Sequence, residues 1–175
     1  MTVAGAPLRI AVMGVAGAGK TTIGRALAAA LDVAFIDADD LHPPSNVSKM
    51  SVGVPLKDDD RWPWLDVVGR ALAGRAEGSV VACSALKRRY RDALRAHAPE
   101  LLFVHLAPPP ALLDARLHAR PDHFMPPSLL ESQLEALEPL EADEAGVTIG
   151  TTAPVDELVS EIVVRLADPM SRRAS

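Results

Sequence analysis

Eight consecutive residues near the amino terminus, Gly14-Val15-Ala16-Gly17-Ala18-Gly19-Lys20-Thr21, fit the pattern G-x-x-x-x-G-K-[ST]. Each residue type serves a separate need. Glycines let successive backbone N–H groups turn inward and approach phosphate oxygens closely. The positive end of a following helix adds to their field. Lys20 can bridge the β- and γ-phosphates, which makes it a candidate catalytic residue, and the Thr21 hydroxyl can ligate Mg²⁺. With the adjoining Thr22, the run is a site for a nucleoside triphosphate.

A second group of oxygens follows in Asp37-Ala38-Asp39-Asp40-Leu41-His42. The apolar run before it predicts a strand, and in a parallel sheet the strand's carboxyl end faces the ligand crevice. Alternation along an extended chain points Asp37 and Asp39 the same way, towards the phosphate loop. Asp37 can then hold Mg²⁺ through water, while Asp39 accepts the proton of an attacking hydroxyl. Further on, Arg116 and Arg120 lie one helical turn apart in a segment, 116–127, with three prolines. A loop that closes over a triphosphate supplies such cations to the transferring group and excludes water. Residues 116–127 are the expected lid, and Arg116 and Arg120 its expected ATP contacts, with Arg120 acting in catalysis.

The elements that must hold these groups follow from periodicity. Leu8–Met13, Val33–Ile36, Ser79–Cys83, Leu101–Ala107 and Val147–Thr151 are short apolar runs, predicted as strands. Ile23, Ala26, Leu27, Ala30 and Leu31 recur as one helix face after Lys20. Further helices are predicted over Trp64–Arg75, Lys87–Ala96, Ala111–Ala119, Leu129–Glu138 and Val155–Leu166, with residues 1–7 and 168–175 as frayed ends. Buried strands alternating with helices imply an α/β, three-layer fold with a parallel sheet covered on both faces. Ser84 and Lys87 follow the third strand and so fall near the crevice. Trp62 and Trp64 are expected to anchor the core, and Cys83 to be a small core residue. Arg61, behind the acids Asp58, Asp59 and Asp60, is either their salt-bridge partner or a ligand for a substrate anion.

Composition narrows the function. The chain has 175 residues and one cysteine, Cys83, which leaves no disulfide framework or Cys-based zinc site and fits a reducing compartment. The net charge of −5 argues against general nucleic-acid binding. No apolar run approaches the ~18 residues of a membrane span, and no signal-peptide pattern opens the chain. The expectation is one cytoplasmic domain over 1–175, with a core of about 8–167, and neither nucleic acid nor membrane as a partner. The Asn-Lys-x-Asp signature of a guanine site is absent, since Asn46 is the only asparagine and no lysine follows it. What remains is a small kinase with a second, small substrate; a nucleotide-binding regulator is the alternative, but it would need no second pocket.

A longer pattern is more specific. Asp37-x-Asp39-x-x-His42-Pro43-x-x-Asn46-x-x-Lys49-Met50-x-x-Gly53-x-Pro55-Leu56-x-Asp58-x-Asp60-Arg61-x-x-Trp64-Leu65 closely resembles the gluconokinase family. So do Cys83-Ser84-Ala85-Leu86-Lys87-Arg88-x-Tyr90-Arg91, Arg120-x-x-His123-Phe124-Met125, and Ser132-Gln133 ahead of Leu137-Glu138. The resemblance implies the phosphate-loop kinase fold with strand order 2-3-1-4-5, and phosphorylation of D-gluconate by ATP and Mg²⁺ to 6-phosphogluconate. It further implies a homodimer. For the acceptor it implies Asp39, His42, Lys49, Arg61, Ser84, Lys87, Arg88 and His123, and for ATP it adds Pro154 after the fifth strand.

Overall fold

Alternate residues of Arg9–Met13 (β1) face opposite sides of a sheet, and every position is buried, so the run is apolar except at its first residue. The computed structural model describes residues 2–3, 6–118 and 127–168. Within them β1 is the centre of a five-stranded parallel sheet with Ala34–Asp37 (β2), Ser79–Ala82 (β3), Leu102–Leu106 (β4) and Gly146–Ile149 (β5). The spatial order is β2-β3-β1-β4-β5, the 2-3-1-4-5 arrangement of the phosphate-loop kinases. Register places Asp37 opposite Ala82 and Met13 opposite His105, so the strands end together at one rim.

Helices cover both faces. Lys20–Leu31 (α1) and Val155–Ala167 (α7) pack on one side, where Leu27 and Ile162 meet Ile10, Val12, Val80 and Val104. Asp58–Ala73 (α3) and Arg88–Arg95 (α4) cover the other, bringing Trp64, Leu65 and Leu94 onto Ala11, Met13, Val81 and Phe103. Pro44–Ser51 (α2), Pro110–His118 (α5) and Pro127–Ala136 (α6) complete the helices. Each of these three begins with proline, where a missing N–H interrupts no helical bond. No helix among the described residues is long and apolar enough to cross a membrane. Arg9 is buried, and its guanidinium bonds the carbonyls of Leu72, Ala73 and Arg75, capping the end of α3.

Three local expectations change. The segment before β1 pairs, Thr2–Val3 against Ala6–Pro7. Helix α3 begins at Asp58, not Trp64: Lys57 is its N-cap, the Asp60 carboxylate accepts from the Lys57 N–H at 3.0 Å, and all three acids fall in the first turn. There they complement the helix dipole, which offsets the backbone bond that Pro63 removes inside the helix. Trp64 is 1% exposed and donates to the Ala38 carbonyl, but Trp62 is 36% exposed and lies edge-on to Tyr90, so only one tryptophan anchors the core.

Arg91 and Glu144 form an ion pair at 2.6 Å, both side chains fully buried. Burial alone would raise the Glu144 carboxyl, but bonds from Arg91 and from the Glu141 N–H outweigh it and hold the carboxyl below the usual range. A depressed folded pKa contributes stability that is full above the unfolded value and is lost as pH falls through the folded one. The urea midpoint is therefore expected to hold between pH 7 and about 5 and to fall below about 4. Glu144→Gln is expected to lower the midpoint at pH 7 and flatten that acid limb; an acid limb as steep as the parent's would contradict the assignment.

Candidate active site

The loop Gly14–Gly19 leaves β1 at the rim and delivers the chain to α1. Gly14 has φ 144, and a Cβ there would lie 2.8 Å from the Leu106 carbonyl oxygen, so only glycine passes this point. Gly19, with φ 100, is the N-cap of α1. Its left-handed backbone turns the chain into the helix without a side chain over the loop. Val15 and Ala18 are buried beneath, while Ala16, Gly17 and Lys20 are partly open. Lys20 Nζ donates to the Val15 carbonyl at 3.0 Å. Arg116 reaches in from α5 and donates to the carbonyls of Ala18 (3.1 Å) and Thr151 (3.1 Å), bracing the loop against the segment after β5. Pro154, exposed, is the N-cap of α7 in that same segment.

Asp37 ends β2, and its Oδ2 accepts from the Thr21 hydroxyl at 3.1 Å. A hydroxyl and a carboxylate thus meet at the mouth of the loop. This all-oxygen pair suits a hard divalent cation that keeps most of its waters and borrows phosphate oxygens. Thr22, next along, is exposed. Asp39 does not continue the strand: Ala38–Leu41 is a 3-10 turn capped by Asp37, whose Oδ1 accepts from the Asp39 N–H at 3.2 Å. Strand alternation is therefore not what places Asp39; the turn does, and it leaves the carboxylate 85% exposed. His42 Nε2 lies 3.9 Å from that carboxylate. The His42 ring stacks on Trp64 at 4.2 Å, and its Nδ1 lies 3.3 Å from the Asn46 amide nitrogen. Burial pushes the imidazole pKa down, against the pull of Asp39, so the ring is neutral at pH 7.

The cations expected for an acceptor separate into distinct settings. Lys49 is paired with Asp60 at 2.6 Å. Lys87, at the N-cap of α4, lies 3.8 Å from Asp58, which also takes Arg89 (2.5 Å) and the Tyr90 hydroxyl (2.5 Å). Those partners hold the Asp58 carboxyl below its usual range, the Tyr90 hydrogen bond most of all. Arg88 turns the other way, with two bonds to Asp143 (2.7 and 2.9 Å) and one to Glu141 (2.9 Å). Those bonds hold its guanidinium away from the Lys87 side. Arg61 lies over the Tyr90 ring, 5.4 Å from its centroid, and among the described residues has no ion-pair partner.

Cys83 shows how closely the charges converge. The thiol is buried at the end of β3, and its pKa is pushed up to about 12, chiefly by burial. Asp39 raises it further while Lys20 and Arg61 pull it down, so all three charges act on this one point. Ser84, the next residue, is partly open, and its carbonyl accepts from the Gly14 N–H at 3.3 Å. The loop, the turn after β2 and the segment entering α4 thus lie together at the carboxyl rim of the sheet. Arg120 and His123 lie outside the described residues.

Two polar residues had no role from sequence. Gln133 of α6 accepts from the Ala16 N–H at 2.7 Å, closing one amide of the loop. Asn46, 1% exposed, donates to the Asp60 carbonyl at 2.8 Å and meets His42. Both occur inside the family-like stretches, and that was their only signal.

Comparison with known proteins follows the same lines. The shikimate kinase family model matches residues 16–167. The thermosensitive gluconokinase of Escherichia coli (strain K12) is 48% identical over 139 residues, covering 78% of this chain and 74% of that protein. The gluconokinase of Gluconobacter oxydans (strain 621H) is 43% identical over 160 residues, with 90% of each covered. Among solved structures, a gluconokinase from Sinorhizobium meliloti 1021 superposes with a TM-score of 0.85 at 50% identity, covering 92% of each chain.

Proposed function

The chain belongs to the gluconokinase family, and on that premise we propose how its own residues carry out the ATP-dependent phosphorylation of D-gluconate to 6-phospho-D-gluconate. The enzyme is a kinase with ATP as phosphoryl donor. The triphosphate lies along the amides of Gly14–Thr22, with Lys20 on the β- and γ-phosphates. Thr21 and Asp37 hold Mg²⁺, which neutralises phosphate charge when bound. Asp39 accepts the proton of the gluconate hydroxyl as its oxygen bonds to the γ-phosphorus. The bond from that phosphorus to the β-bridging oxygen breaks, and ADP leaves with the electron pair. His42, stacked on Trp64, stands behind the Asp39 carboxylate with its Nε2 3.9 Å away. Ser84 and Lys87 bind the acceptor beside it.

The observation that carries the acceptor assignment is Arg61. Lys49, Lys87 and Arg88 already have carboxylate partners, whereas Arg61 has none among the described residues. Its planar fork suits two-point binding of a carboxylate. A neutral sugar would leave the half-buried guanidinium unpaired, at a cost near the lower end for a broken buried pair, ~3 kcal/mol. That is about 100-fold at 1.4 kcal/mol per decade. An ADP-release assay over gluconate, glucose and shikimate is expected to show gluconate preferred over glucose by about that factor in kcat/KM. Arg61→Ala is expected to raise the KM for gluconate and narrow the gap. Equal activity on gluconate and glucose in the unmutated enzyme would rule out carboxylate recognition.

A further inference from the structure

Arg91 is wholly buried in α4, one turn behind Lys87, and its guanidinium is saturated. Nε and Nη2 form a fork on Glu144, at 2.7 and 2.6 Å. Nη1 donates to the carbonyls of Ala85 (3.3 Å), Leu86 (3.3 Å) and Glu138 (3.0 Å), and Nη2 also to that of Pro139 (3.1 Å). Two of these carbonyls lie between Ser84 and Lys87, and the other two belong to the segment leaving α6. The same segment holds the loop a second way. The Glu138 N–H donates to the Leu86 carbonyl at 2.8 Å, and the Glu138 carboxylate accepts from the Arg88 N–H at 2.5 Å.

The loop so gripped does not have a relaxed backbone. Ala85 has φ 41, a left-handed conformation that is unfavourable for a residue with a Cβ. Surroundings must over-determine such a geometry for it to persist. A buried ion pair is a poor choice for stability alone, because apolar residues of similar volume often serve as well or better. Apolar residues cannot hold carbonyl oxygens, and Arg91 holds four.

We propose that Arg91, oriented by Glu144, is a positioning residue for the acceptor: it fixes the Ala85 and Leu86 carbonyls from behind and thereby sets where Ser84 and Lys87 meet gluconate. The role rests on the assignment of Ser84 and Lys87 to the acceptor pocket. It requires a fork, so a lysine in the same place cannot supply it. Its effect is expected to fall on the acceptor more than on the nucleotide: none of Arg91's own bonds reaches the phosphate loop or α1, although the segment it holds meets that loop where the Gly14 N–H donates to the Ser84 carbonyl at 3.3 Å.

The test compares the unmutated enzyme with Lys87→Met, Arg91→Lys and the double variant Arg91→Met/Glu144→Leu. Steady-state kinetics give kcat and both KM values, calorimetry gives ADP affinity, and thermal unfolding reports folding. Misplacement of a substrate contact by about 1 Å costs on the order of 100-fold. Arg91→Lys is accordingly expected to raise the gluconate KM by roughly 10- to 100-fold, with ADP affinity within about twofold. The double variant replaces the pair by apolar groups and leaves neither member as an unpaired charge, so it is expected to fold with a lowered thermal midpoint, the four carbonyls having lost their donor, and to show the same KM defect. An unaltered gluconate KM in either folded variant overturns the proposal, as does a parallel loss of ADP affinity. Lys87→Met separates the two levels. If it raises the gluconate KM while the Arg91 variants do not, only the positioning role fails. If it leaves KM unchanged while the unmutated enzyme phosphorylates gluconate, the acceptor assignment of Lys87 fails and the positioning role with it.

Discussion

Asp39→Asn is expected to lower turnover by roughly 10²–10⁴ while leaving ADP affinity unchanged. The carboxylate is 85% exposed at the rim, and its backbone N–H is anchored by Asp37 at 3.2 Å. Asparagine keeps the shape, the turn and that anchor, because the bond to Asp37 comes from the main chain. What it loses is the capacity to take a proton. His42 cannot substitute as base without moving, since its ring is pinned on Trp64 and its Nδ1 meets Asn46. The measurement is kcat at saturating ATP beside calorimetric ADP binding. Asp37→Asn supplies the contrast: losing the carboxylate beside Thr21 is expected to raise the Mg²⁺ concentration needed for half-maximal rate. Should Asp39→Asn weaken nucleotide binding with turnover intact, the two carboxylates have been given each other's roles.

The order of strands and helices was open to reading because β1, β3 and β4 are buried at every position and α1 and α7 each carry one apolar stripe. The start of α3 was not, because Pro63 looks like a first-turn residue, whereas the helix begins five residues earlier, at Asp58. Its three acids repay the lost backbone bond through the dipole, an exchange that no periodicity reveals. Asp39 shows a different limit. Strand alternation places it beside Asp37 on paper, yet the chain leaves the strand at Asp37 and reaches the crevice through a 3-10 turn. Lys87 is the extended N-cap of α4 and Arg88 its first helical residue, so these neighbours in sequence meet different partners, Asp58 for one and Asp143 for the other. Arg61 had even claims as an ion-pair partner or a substrate ligand. Only the fold shows that Asp58 and Asp60 are taken by Arg89, Lys87 and Lys49.

Lys20→Met is expected to reduce turnover by about 10²–10³, the loss typical of removing one preorganised donor to developing charge. Methionine keeps the unbranched stem, so the substitution removes charge and little packing. The loop itself is held by other means. Arg116 braces the Ala18 carbonyl against Thr151, Gln133 holds the Ala16 N–H, and Gly14 is locked beside Leu106. None of these contacts involves the ammonium group, so the cradle is expected to survive and thermal unfolding to stay near the parent's. The Lys20 ammonium donates to the Val15 carbonyl at 3.0 Å, which places its charge within the loop. ADP affinity is expected to fall less than turnover does, because the charge on the transferring group is greatest in the transition state. Single-turnover rates measured with saturating ATP and gluconate separate chemistry from product release. A folded Lys20→Met enzyme with near-parental single-turnover rates would remove this lysine from the phosphoryl-transfer step and leave the amides of the loop to carry it alone.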